Sequence, residues 1–355
     1  MPTVPFTLRM NGTTQSRSVS VPSTSNAATP WRVPGDVRFE AGGEPFGVGV
    51  GSGTAAHRGS NRPGSGNDGH VPRLPRPNPA VSRLGRRLAS FHRRRIAIPV
   101  GPDSLVLDVG SGDKPHWRAD VLLDRYVDAA HGGQRSGRAA ARITRPMFDA
   151  DAAAMPFADK VFDYVICSHV LEHVPDPAAV VAEMTRVGRA GYIEVPEAAS
   201  AKILDFPSHL WWCRLDTTEH RPTLVFTAKQ VRDFDPEIAD YIQRSGVEQR
   251  LAKLLDDDFD FRVVSLPWAD SVDVRVEGSL DPAFVAEALA VDAHHQVGQS
   301  LVTRALTTAM AVPRRSQRRR RPIEFDQVVK PELRRGSGEI LRREIYRLSR
   351  TPNPL

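Results

Sequence analysis

Leu105-Val106-Leu107-Asp108-Val109-Gly110-Ser111-Gly112-Asp113-Lys114-Pro115 runs from an apolar stretch straight into a glycine-rich turn. A short aliphatic run without polar alternation predicts a strand buried on both faces, as in a parallel sheet. A glycine turn at the carboxyl end of such a strand lies where open α/β sheets place their ligand crevice. The chain downstream repeats the pattern. Val121-Leu122-Leu123-Asp124 predicts a second strand, Phe148 marks a weaker third, and Phe162-Asp163-Tyr164-Val165-Ile166-Cys167 a fourth. Asp176-Pro177 then opens a helix whose Val180, Val181, Met184 and Val187 share one face, and Gly191–Pro196 makes a fifth strand. Alternating strands and helices imply an α/β fold, a doubly wound and mostly parallel sheet.

Outside this core the signals change. Residues 1–80 are crowded with Gly, Ser, Pro, Thr and Asn, as in Gly47–Gly53, and show no lasting apolar period, so they are expected to be disordered. Val81, Leu84, Leu88 and Phe91 predict a leading helix over 81–98, with arginines covering its other faces. Phe261–Leu266 reads as a late strand, Asp281-Pro282 as a helix start, and Val297–Ala311 as a last amphipathic stretch before Pro313. The expected organisation is a domain over 81–270 with its motif core at 104–196, a C-terminal helical extension over 271–312, and a basic tail over 313–355, in which the arginines of 314–321 form a block that usually means a solvated, mobile segment.

The 355 residues carry a formal charge of +6, unevenly placed. Residues 1–97 are net +10, residues 313–355 net +8, and the patterned middle is net −12. A nucleic-acid groove in the core is disfavoured. Cys167 and Cys213 are too few for a disulfide framework and lack CxxC spacing, which fits a reducing cytoplasm. No run approaches the roughly 18 apolar residues that span a bilayer, and no signal peptide is expected, so the protein is read as soluble and cytoplasmic.

The glycine turn discriminates between ligands. A dinucleotide fingerprint asks for a third glycine at position 115, where Pro115 stands, and no GKS or GKT follows. Asp108 and Asp113 repel phosphate oxygens and suit a cation instead. S-adenosylmethionine, with a sulfonium, an ammonium and no phosphate, matches better than NAD or ATP. Asp124 closes the second strand with two acceptor oxygens, enough for both hydroxyls of a ribose.

From about Ser104 to Pro196 these residues resemble the class I methyltransferases, particularly the bacterial group with the methyltransferase-11 type domain. Leu107–Gly112 is similar to the family's first motif, and Asp151-Ala152-Ala153-Ala154-Met155-Pro156-Phe157 to its D-x-x-x-L-P-F segment. Phe162–Val174 is similar to its fourth strand and following turn. The resemblance implies a Rossmann-like fold using S-adenosyl-L-methionine. Asp108 and Gly110, Ser111 and Gly112 would hold the methionine part, Asp151 and Ala152 the adenine, and Ser168 would lie beside the sulfonium. Only residues 110–120 separate the first two strands, so the usual first helix is expected to be shortened.

His169-Val170-Leu171-Glu172-His173 matches the H-x-x-E-H pattern of inverted zinc proteases, but it follows a strand directly and Pro175 interrupts the helix such a site needs. Related ubiquinone-pathway enzymes bind a divalent cation through an acidic-histidine turn; His169 replaces an acid here, so no metal is expected. His173 is the candidate general base, against the alternative that it packs the turn. Candidate acceptor contacts are His209, Trp211, Trp212 and His220, with core packing the competing explanation for the tryptophans. The leading expectation is O-methylation of a small or carbohydrate-containing metabolite. The rivals are methylation of nucleic acid or protein through the basic arms, and a cofactor-binding partner subunit without turnover.

Overall fold

The computed structural model describes residues 82–128, 141–218, 221–230, 233, 235–257, 259–290 and 301–348. The region 1–80 expected to be disordered, His220, and most of the loop between the second and third strands lie outside the described residues. From Arg83 onward the chain falls in one compact unit.

Seven strands make the main sheet: β1 (Val106–Val109), β2 (Val121–Asp124), β3 (Met147–Asp149), β4 (Phe162–Ser168), β5 (Gly188–Pro196), β8 (Val263–Ala269) and β10 (Ile345–Arg347). Their order is β10-β3-β2-β1-β4-β5-β8, parallel throughout except for antiparallel β8. The direction of strand succession reverses between β1 and β4, which is the ligand position of an open α/β sheet. A second sheet pairs β6 (Trp211–Asp216) antiparallel with β7 (Thr223–Ala228), and β7 parallel with β9 (Asp273–Glu277).

Alternation along the strands loads both faces of the main sheet. Val106, Tyr164 and Ile166 face a cluster with Ile96, Ile98, Trp117 and Ala311, which brings in the end of helix α1 (Arg83–Arg95) and the end of α7 (Leu301–Ala311). Leu107, Val109, Val165 and Cys167 face the larger core, shared with α2 (Pro177–Val187), the second sheet and the C-terminal segment. In α2, Asp176 caps the first turn by accepting from the Ala179 N–H at 2.9 Å, and Pro177 stands where no donor is needed. Its buried Val180, Val181, Met184 and Val187 each contribute about 1.5–3 kcal/mol. The remaining α-helices among the described residues are α3 (Ala198–Ile203), α4 (Pro236–Ser245), α5 (Val247–Asp257), α6 (Pro282–Leu289) and α8 (Phe325–Val328).

Three features differ from expectation. Residues 110–120 form turns and no helix at all. Arg118 takes the anchoring role: it is fully buried, pairs with Asp120 at 2.6 Å, and donates to the Gly101 and Ser104 carbonyls at 2.9 and 2.8 Å. Second, the stretch expected as a helical extension contributes β9 to a sheet besides α6 and α7. Third, the segment expected as a basic tail folds back beyond its arginine block: Ile323, Phe325, Val328, Val329, Leu341 and Tyr346 are buried, and β10 extends the sheet beside β3. The arginine run dominates the composition of that segment, yet apolar residues spaced beyond it decide its fate. No helix among the described residues is long and apolar enough to cross a membrane.

Candidate functional site

Strands β1, β2 and β3 lie side by side, and each has a carboxylate at or near its carboxyl end: Asp108 within β1, Asp124 as the last residue of β2, and Asp151 just after β3. Gly110 (φ +64°) and Gly112 (φ +49°) carry the chain around the turn after β1 in left-handed conformations that suit glycine. A Cβ at Gly110 would also overlap the Val170 side chain from the turn after β4. The Gly110 N–H donates to the Leu123 carbonyl at 2.8 Å, and the Gly112 N–H to Asp124 Oδ2 at 2.7 Å. The other Asp124 oxygen accepts from the Tyr126 N–H at 2.8 Å, so this one side chain ties both turns together.

Asp108 and Asp124 are both buried. Burial lifts the Asp108 carboxyl to about 7; the His116 N–H, donating at 2.7 Å, and the Arg95 charge oppose the rise, and the Asp124 charge adds to it. Ser111 Oγ is buried without a hydrogen-bond partner in the same turn. At the rim, Asp151 accepts from the Ala153 N–H at 2.9 Å and from Arg125 at 2.8 Å, a half-exposed ion pair beside buried Ala152.

A second cluster grows from the end of β4. His169 has φ +57° and lies between two buried carboxylates, 3.1 Å from Glu172 Oε1 and 3.2 Å from Glu194 Oε1. Burial works against charge on this ring, but hydrogen bonds and charges from Glu172 and Glu194 prevail and raise it to about 9. Glu194 also accepts from Ser168 Oγ at 3.0 Å, from the Tyr192 hydroxyl at 2.7 Å, and from both arms of Arg94 at 2.6 and 2.7 Å. Burial opposes its charge as well, and His169 with Arg94 hold it far below the usual carboxylate range. Ser168 is therefore bonded to Glu194 in this structure.

His173 donates Nδ1–H to the Ser208 carbonyl across 3.0 Å, which leaves a lone pair on Nε2. Burial lowers its basicity, so the ring is neutral near pH 7. The His209 ring meets it edge-on at 4.7 Å between centroids, buried, with Nδ1 unpartnered. The structure thus joins His173 and His209 in one cluster. Trp211 and Trp212 are both 4% exposed; their ring N–H groups donate to the Val174 carbonyl and to Asp233. They pack inside the protein at β6 and do not line an open wall.

Against this geometry, residues 107–193 match the family model described as a methyltransferase domain. Residues 107–193 form a methyltransferase domain. The chain is similar to a demethylmenaquinone methyltransferase of Renibacterium salmoninarum, 38% identical over 107 residues, covering 28% of this chain and 44% of that protein. It is also similar to an uncharacterized methyltransferase of Mycobacterium avium, 38% identical over 96 residues, covering 25% and 37%. Among solved structures, a putative methyltransferase of Haloferax volcanii in complex with the activator Trm112 aligns with a TM-score of 0.31 at 15% identity, covering 53% of this chain and 95% of that one. The chain spans less than half the length of the curated relatives it matches.

Sequence reasoning missed several residues around the methyltransferase domain. Arg94 in α1 and Lys229 after β7 carried no motif. Glu194 did carry a signal, an acid inside the apolar run Tyr192–Val195, which is an expensive placement unless the charge is matched.

Proposed function

We propose that this protein transfers a methyl group from S-adenosylmethionine to an oxygen of a small or carbohydrate-containing acceptor. The cofactor supplies an electrophilic methyl on a cationic sulfur. The observation that carries the reading is the pair of buried carboxylates, Asp108 and Asp124, around a glycine turn that lacks a helix behind it. A helix N-terminus there would favour phosphate; turns bordered by acids favour a cation. The unpartnered Ser111 hydroxyl in the same turn fits a polar ligand atom. In this reading Asp108 and the Gly110–Gly112 backbone hold the methionine part, Asp124 accepts from the ribose hydroxyls, and Asp151 with Ala152 borders the adenine, Arg125 shifting to share Asp151. Ser168 lies toward the sulfur.

We place the acceptor against the turn after β4, where His173 Nε2 is available for a hydroxyl proton and His209 lies alongside; His220 remains a candidate contact. The relatives named for demethylmenaquinone are covered over less than half their length and match only 27% and 28% of this chain, so their acceptor does not transfer to it. Two free, buried cysteines are consistent with a cytoplasmic setting. Calorimetric titration tests the reading: S-adenosylmethionine and S-adenosylhomocysteine should bind, NAD and ATP should not. Preference for either nucleotide, or indifference to all four, overturns it.

A further inference from the structure

The acidic-histidine turn contains more than a proton acceptor requires. Glu172, His173 and His209 each offer a ligand atom, and these atoms all lie within 4.8 Å of one another. Two of the three residues hold a buried polar atom with no hydrogen-bond partner, Glu172 Oε2 and His209 Nδ1. Glu172 is 0% exposed and His209 7%. A buried, unpartnered carboxylate oxygen and imidazole nitrogen have each lost their water without gaining a hydrogen bond, which is unusual twice in one cluster without a ligand to satisfy them.

We infer that Glu172, His173 and His209 form a binding site for one divalent transition-metal ion. Two neutral imidazoles and one carboxylate form the donor set of three-ligand zinc and iron sites, which leave further coordination positions open. The three residues reach the site from two parts of the chain. Glu172 and His173 come from the single 3-10 turn Leu171–His173 after β4, and His209 from the loop before β6, where the Leu210 N–H donates to the Glu172 carbonyl at 2.7 Å. Burial keeps both rings neutral, the form that binds metal. The supporting contacts are those of a metal centre's surroundings: Nδ1–H of His173 is fixed by the Ser208 carbonyl, and His169 holds Glu172 Oε1 at 3.1 Å. The nearby Lys229 ammonium is paired with Asp205 and lies 4.2 Å from the Trp212 ring centroid.

The sequence suggested no metal because His169 takes the place of an acid. The structure accounts for that replacement, since His169 pairs with Glu172 and Glu194 from outside the trio. An ion here takes up the His173 lone pair, so the ion and the proton-acceptor role are alternatives for that nitrogen. Any part the ion plays in methyl transfer rests on the proposed function; its binding does not.

The test uses the full-length protein stripped with a chelator and titrated with Zn²⁺ and Mn²⁺ by calorimetry, and with Co²⁺ by absorption. Expected are one ion per chain, a cobalt spectrum of nitrogen and oxygen donors, and at least tenfold weaker binding in both Glu172→Gln and His209→Gln. Folded wild-type protein that takes up none of the three ions overturns the proposal. So does a thiolate charge-transfer band, or affinity that survives both substitutions. The wild-type cobalt spectrum decides the matter even if a variant does not fold. S-adenosylmethionine titrated into the same samples separates the readings: ion uptake without cofactor binding sinks the methyl-transfer reading and keeps the metal site, and the reverse sinks the metal site alone.

Discussion

The Arg94 guanidinium grips both carboxylate oxygens of Glu194, at 2.6 and 2.7 Å, and fastens α1 to β5 through a pair almost wholly removed from water. Bidentate geometry makes such a pair strong, and removing one partner leaves the other charge stranded. Arg94→Leu should therefore destabilise the fold by about 3 kcal/mol, the low end for a broken buried pair because His169 and Tyr192 still contact Glu194. Urea denaturation measures it; a loss under 0.5 kcal/mol would show that the pair is not closed in solution.

Asp108 sets a pH dependence of known sign. Its folded value is about 7 against a reference of 3.8, so the folded protein holds the proton more tightly than the unfolded chain does. The associated stability is complete below about pH 4 and is lost as pH rises toward 7. Asp108→Asn should flatten that decline and stabilise the protein at pH 8 by on the order of 2 kcal/mol, as read from melting curves.

The same side chain should have the opposite effect on ligand binding. A cationic cofactor favours the carboxylate, so wild-type affinity for S-adenosylmethionine should strengthen as pH rises through about 7. Asp108→Asn should weaken binding at least tenfold and abolish the slope. Calorimetry at pH 6, 7 and 8 checks both, and an unchanged affinity in the variant would remove Asp108 from the site.

Gly110→Ala meets two obstacles, the left-handed φ of +64° and the Val170 side chain. The backbone part costs about 1 kcal/mol and the overlap about 1–3 kcal/mol more. Val170→Ala in the same chain should restore the steric part only. A double-mutant cycle in denaturant therefore shows coupling, and strict additivity would mean that the two turns do not touch.

Phe325 lies in the segment whose composition suggests a solvated tail, yet it is fully buried, with its ring 6.2 Å from that of Phe148 and 5.9 Å from that of Tyr346. Phe325→Ala should cost about 3–5 kcal/mol. A free tail would register no change in melting temperature.

The sequence by itself determined the strands and their ligand edge. Apolar runs and glycine turns are local signals, and buried parallel strands impose them residue by residue, so Leu105–Gly112 and Phe162–Cys167 were legible without any neighbour. Asp176-Pro177 announced α2 for the same reason. What pairs across long separations was not legible. Arg94 meets Glu194 a hundred residues later, β10 joins β3 from the far end of the chain, and Arg118 stands in for a helix because its guanidinium reaches the Gly101 and Ser104 carbonyls. His209 joins Glu172 and His173 only because the loop before β6 folds over the turn after β4. Periodicity records which face of an element is buried; which charges meet behind that face depends on how the faces close, and only the tertiary structure decided that.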